Sequence, residues 1–82
     1  MSAFEPSSYG VVIDSRRLDM LQGLPKVATE PVVASVLGVS VAHLARLRRD
    51  GRGPLSDTGV NGRVMYRRSQ VLAWAVRVME GR

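Results

Sequence analysis

Residues 31–45 carry no formally charged side chain, and two small residues split the run. Gly38 and Ser40 stand with only Val39 between them. Glycine readily takes the left-handed conformation that follows a helix end, and serine is a strong N-cap. A chain that stops one helix and starts another within three residues must turn the second steeply across the first. The first helix is expected after Thr29-Glu30-Pro31, with Thr29 as N-cap and Pro31 tolerated in the first turn. Its valines favour a strand by propensity. Ala34 and Ser35, however, interrupt the alternation a half-buried strand needs, while Val33, Val36 and Leu37 recur at helical spacing.

The second helix is expected from Val41 to about Asp50, with Gly51 as its stop. At roughly 100° per residue, Val41, Leu44, Leu47 and the stem of Arg48 face one way. Ala42, Arg46 and Arg49 face the other, with His43 and Ala45 on the flanks. One side is apolar and the opposite side carries guanidinium groups. Upstream, Asp14 or Ser15 is placed to cap a short helix bearing Leu18 and Leu21, stopped by Gly23 and Pro25. Residues 9–13, Tyr-Gly-Val-Val-Ile, are too apolar for a free arm, and are expected to pack on the same domain or on a second copy. Residues 1–8 read as a frayed tail.

Downstream, residues 51–62 hold Gly51, Gly53, Pro54, Gly59 and Gly62 together with Ser56, Asp57 and Asn61, which is turn chemistry. Asn61-Gly62 is the strongest hairpin signal in the chain. Arg63–Arg67 reads as a strand, with Leu55–Thr58 as its antiparallel partner. A two-stranded ribbon is marginal alone, so it must lean on the helices. Ser69 is expected to cap a last helix running to about Met79, with Val71, Leu72, Trp74, Ala75, Val78 and Met79 over a wide apolar sector. The expected fold is mainly α with a small β-ribbon: a helix-turn-helix-wing-helix order behind an N-terminal extension over 1–26, with the domain proper at 27–82.

Charge narrows the function classes. The 82 residues carry 12 basic and 7 acidic groups, and all the basic ones except Lys26 are arginine. Residues 46–82 hold nine basic and three acidic groups, a net of +6, whereas residues 1–45 net −1. A basic half on a small domain is the footprint of a polyanion binder, and arginine suits planar contact with phosphate and guanine. The chain has no cysteine and one histidine, so neither a metal centre nor a cofactor is expected. No nucleophile–base pair or phosphate-cradling loop is present, so an enzyme is not expected. No apolar run reaches the ~18 residues of a membrane span. The N-terminus lacks a secretory signal, and a cytoplasmic location is expected.

The set Thr29-Glu30-Pro31, Leu37-Gly38-Val39-Ser40, Leu47-Arg48-Arg49-Asp50-Gly51, Gly62-Arg63-Val64-Met65-Tyr66-Arg67-Arg68 and Leu72-Ala73-Trp74 resembles a known group. It is similar, over about residues 27–79, to the winged helix-turn-helix proteins of the excisionase and MerR-like family, many encoded by phages and mobile elements. The resemblance implies a DNA-binding module whose second helix enters the major groove and whose wing reaches the adjacent minor groove. In the excisionase branch it further implies cooperative binding of neighbouring copies, DNA bending, and assistance to an integrase in a bacterial host, at the nucleoid. Relatives act as transcriptional regulators or as terminase small subunits. The family often places a polar or basic residue directly after the capping serine; here Val41 and Ala42 follow Ser40.

On this reading Ala42, His43, Arg46 and Arg49 contact base edges from the second helix, and Asn61, Gly62 and Arg63 form the wing contact. Ser40, Arg48, Arg52, Arg67 and Arg68 are candidates for phosphate. The partners expected are double-stranded DNA, further copies of the chain on DNA, and an integrase or other phage protein. The same residues also fit a plainer reading, a solvated helix face and an exposed hairpin turn. A protein-binding adaptor that kept the fold without the DNA activity is a further alternative. Trp74 and Tyr66 are expected in the core, since so few and unclustered aromatics make single-strand stacking unattractive.

Overall fold

A computed structural model describes residues 10–81; the tail over 1–8 and Tyr9 lie outside the described residues. The described chain holds four helices and a three-stranded antiparallel sheet. In chain order they are α1 (Ser15–Gln22), β1 (Val27–Thr29), α2 (Glu30–Leu37), α3 (Val41–Arg49), β2 (Asp57–Thr58), β3 (Val64–Arg67) and α4 (Arg68–Met79).

The stop between α2 and α3 forms as the residue types dictate. Gly38 is left-handed at φ 76°. Its N–H donates to the Ser35 carbonyl and that of Val39 to the Ala34 carbonyl, which satisfies two otherwise orphaned acceptors. Ser40 then caps α3, its Oγ accepting from the His43 N–H at 3.0 Å. The chain bends by 106° between the two helices, within the range that such short connections impose. Gly38 is closed in from outside as well. Arg17 of α1 donates to the Val36 carbonyl at 2.7 Å, and a Cβ on Gly38 would sit 2.9 Å from an Arg17 guanidinium nitrogen.

The N-terminal segment joins the core rather than flanking it. Val11 and Ile13 are buried while Val12 and Asp14 point out, the alternation of an extended strip. Asp14 caps α1, accepting from the Arg17 N–H at 2.9 Å. Leu21 and Leu24 then pack in one cluster with Val33, Leu37, Leu44, Leu47, Tyr66, Val71 and Trp74. The Trp74 indole donates to the Arg52 carbonyl at 2.8 Å, tying α4 to the loop after α3.

Three expectations need correction. The ribbon has a third strand: β1 pairs with β3 in the register Val27↔Arg67, Ala28↔Tyr66 and Thr29↔Met65, which leaves β3 central. A three-residue strand is too short to show periodicity, and its partner lies some 40 residues away in sequence. The cap of α4 is Arg67, not Ser69. Strand β3 runs directly into the helix, which places Arg67 at the cap position without a side-chain cap and Ser69 inside the first turn; the Arg68 N–H is satisfied by the Lys26 carbonyl beside β1 at 2.9 Å. Finally, Val41 does not face inward; it is 44% exposed, and the burial of α3 starts one turn later at Leu44.

Replacing Gly38 by alanine should lower unfolding free energy by about 1–2 kcal/mol, the cost of a left-handed side chain. Chemical denaturation of Gly38→Ala checks this, and a variant as stable as wild type would contradict a left-handed residue at this position.

Candidate nucleic-acid interface

Helix α3 is anchored from behind. Leu44 and Leu47 are buried, and the Arg48 guanidinium reaches back to the carboxylate of Glu30 at the start of α2. The contact is two-pronged: Nε to Oε2 at 2.9 Å and Nη2 to Oε1 at 3.3 Å. Tyr66 of β3 donates its hydroxyl to Glu30 Oε2 at 2.7 Å. Arg48 is a phosphate candidate by sequence; in the structure its partly exposed head is instead turned to the Glu30 carboxylate. A guanidinium on the buried side of a helix needs an acid, and Glu30 is the only acidic residue between Asp19 and Asp50. That was the available signal for a role of Glu30 and Tyr66 which sequence reasoning missed.

Burial alone would push the Glu30 carboxyl up. The hydrogen bonds from Arg48 and Tyr66 and the charges of Arg48 and Arg49 outweigh it, so the group is held below the ordinary carboxylate range. The Tyr66 phenol is pushed well above its ordinary range, by burial first and then by the anionic oxygen it donates to. Helix α2 adds to this, because its N-terminus favours a negative side chain in the first turn.

With Arg48 drawn inward, the residues spaced around the opposite face project outward. Ala42, Arg46 and Arg49 are all exposed, and neither arginine has an ion pair among the described residues. His43 is half-buried on the flank, and Gly10 lies so close over its imidazole that a Cβ there would collide with the ring. Ser40 is the cap of α3 and Arg52 is exposed in the following loop.

The β2–β3 hairpin forms in the register Asp57↔Met65 and Thr58↔Val64. Its loop closes with the Gly59 N–H on the Arg63 carbonyl at 2.8 Å and the Gly62 N–H on the Gly59 carbonyl at 2.9 Å. Gly62 is left-handed at φ 80°, the three-residue arrangement of a type I turn followed by a bulge. Asn61 spends its Oδ1 on the Arg63 N–H at 3.0 Å, so it shapes the loop from within. Val60 and Arg63 are exposed. Val60, absent from the expected contacts, stands out at the tip because a type I turn projects its central residues.

Arg67 and Arg68 are placed elsewhere. Arg67 pairs with Asp57 at 3.2 Å, an exposed pair of small energetic weight. Arg68 donates to the Leu24 carbonyl at 3.1 Å. Both border an open groove of about 510 Å³ that is also lined by Lys26, Val27, Ser69 and Leu72. No single helix among the described residues is long and apolar enough to cross a membrane. Comparisons with protein-family models, with curated proteins and with solved structures found no match.

The Glu30 carboxyl sets a pH dependence. Its folded-state value is depressed, so its stabilising contribution is complete above the unfolded carboxyl value of about 4.3. It is lost as pH falls from there through the folded value. Denaturant midpoints should therefore hold steady near neutrality and drop below about pH 4.5. The gap between wild type and Glu30→Gln should narrow over the same range, and a gap constant from pH 7 to pH 3 would contradict the network. At neutral pH, Arg48→Ala strands a buried carboxylate. Its cost should be about 3 kcal/mol, the lower end for such pairs because Arg48 is partly exposed.

Proposed function

We propose that the protein is a winged helix-turn-helix module that binds double-stranded DNA. Helices α2 and α3 are the helix-turn-helix unit, α3 is the major-groove helix, and the β2–β3 hairpin is the wing. The observation that carries this reading is the state of Arg46 and Arg49. Both are exposed, and among the described residues neither has an ion pair, on the outer face of a helix set 106° from its predecessor. Two guanidinium groups left in that position suit guanine edges, where one good bidentate pair contributes about 1–3 kcal/mol of discrimination.

The hairpin supports the same reading. Its loop is slim, closed by Gly59 and Gly62, and is followed by an exposed Arg63. The minor groove is only about 6 Å wide, and arginine is favoured there where the groove narrows. Phosphate contacts fall to the backbone and side chain of Ser40 at the start of α3 and to Arg52. Arg67 and Arg68 each already spend a guanidinium N–H, on Asp57 and on the Leu24 carbonyl, so their share is secondary.

The finer assignment is an excisionase-type architectural factor, with copies side by side bending DNA to assist an integrase in the bacterial cytoplasm. Its support is the resemblance of residues 27–79 together with size. A single module of this kind buries roughly 600–1,000 Å², which calls for cooperative neighbours to bind tightly. No cofactor or metal enters the proposal.

Binding to duplex DNA should weaken steeply with salt, the logarithm of affinity falling linearly with the logarithm of salt concentration. Arg46→Ala should lose major-groove protection and Arg63→Ala minor-groove protection in a footprint, each at a cost of about tenfold or more in affinity. Equal protection by both variants and wild type would refute the interface. Successive shifted complexes on a direct-repeat site are expected for the architectural role, and one non-cooperative species would count against it.

A further inference from the structure

Sequence periodicity places Val41 on the apolar side of α3, yet the structure leaves it 44% exposed. Ala42 beside it is exposed and Ala45 is half-buried. At 100° per residue Val41 and Ala45 share one flank, Ala42 and Arg49 lie at the centre of the outer face one turn or more apart along the axis, and Arg46 lies toward the other flank. The outward surface of α3 is therefore divided along its axis into an apolar end, Val41 and Ala42, that opens the helix and a cationic end, Arg46 and Arg49, that closes it.

The first turn is also poor in polar groups. The Ser40 hydroxyl oxygen is occupied by the His43 N–H, and no acidic residue stands in the first turn. An exposed helix start in a solvated surface gains from a carboxylate, which the helix dipole favours. Its absence here is costly to the isolated helix but suits a surface that meets phosphates. With the His43 imidazole half-buried on the flank, the exposed side chains of the leading turn are the methyl-bearing Val41 and Ala42. Among base edges in the major groove, the thymine C5-methyl is the one apolar feature that such a surface can cover without leaving a donor or acceptor unpaired.

We infer that the first turn of α3 reads thymine methyl groups through Val41 and Ala42, next to guanine read by Arg46 or Arg49. The inference rests on α3 being the major-groove helix and specifies what that helix selects. Spacing follows from geometry. Four helical residues rise about 6 Å and seven about 10 Å, against about 3.4 Å per base step. The guanine should lie about two to three base pairs from the thymine. The methyl-bearing edge makes the same demand of any pyrimidine, so a 5-methylcytosine satisfies it where cytosine does not.

The test uses the full chain and a randomised duplex pool to recover preferred sites, followed by single-atom changes in the DNA. Replacing thymine by uracil removes the methyl and keeps every hydrogen-bonding group. At one or two thymines this should weaken binding by about fourfold per methyl, the value of one buried carbon. The double variant Val41→Ser, Ala42→Ser, altered only at exposed positions, should bind thymine and uracil sites alike. Replacing the neighbouring guanine by 7-deazaguanine should weaken wild type and leave Arg46→Ala or Arg49→Ala unaffected.

Retained DNA binding with no response to uracil at any position overturns the inference and leaves the DNA-binding reading standing. A uracil penalty that persists in the double variant overturns it equally, because the methyl would then be read from elsewhere. Failure to enrich any duplex removes both.

Discussion

One buried carboxylate holds the working parts of this protein in register. Glu30 begins α2, receives Arg48 from α3 and receives Tyr66 from β3, so three elements meet on two oxygens. Taking a charge out of water is expensive, and a well-packed apolar substitute often serves stability as well or better. The advantage of the ion pair is directional. Apolar packing through Leu44 and Leu47 tolerates some rotation of α3 about its own axis, whereas a two-pronged guanidinium–carboxylate contact does not. Once Arg48 is drawn inward, its neighbours two residues before and one after have no choice but to face out. The interior pair thus determines where Arg46 and Arg49 point.

The same logic extends to the N-terminal segment. A unit of two short helices and a small sheet has little core to share, and small domains are marginal for that reason. Val11, Ile13, Leu21 and Leu24 enlarge the core. Helix α1 also delivers Arg17 over the α2–α3 turn, where it binds the Val36 carbonyl and shields Gly38. The segment therefore acts on the bend between α2 and α3 from outside, while Glu30 acts on it from inside.

Local chemistry in the sequence was the most legible part. Gly38 and Ser40 announce the turn, Asp14 or Ser15 announces α1, and Asn61-Gly62 announces the hairpin, because each is decided within a few residues. What escaped depends on partners far along the chain. Strand β1 is three residues long and exists because β3 accepts it. Ser69 looks like a cap by type, but β3 runs directly into α4 and leaves it inside the first turn. Val41 fits an apolar wheel, yet the wheel does not say where the core ends. Among site residues, the outward positions of Arg46, Arg49 and Arg63 followed from periodicity and turn chemistry. The inward commitment of Arg48 required knowing that Glu30, eighteen residues earlier, is folded against it.

Arginine count and arginine availability are different quantities here. Composition assigns nine cations to residues 46–82. Of these, Arg48 is neutralised by a buried acid, Arg67 by Asp57, and Arg68 is turned to a carbonyl. The surface that presents guanidinium groups without such partners is narrower than the count of nine cations suggests. Non-specific attraction to a polyanion scales with the phosphates neutralised, so a narrow footprint gives a modest general affinity. In the DNA-binding role we propose, such a module would have to obtain the rest from base contacts, from groove shape or from neighbours bound beside it. That role rests on the outer face of α3 and on the hairpin loop, two surfaces the interior network and the turn chemistry leave exposed.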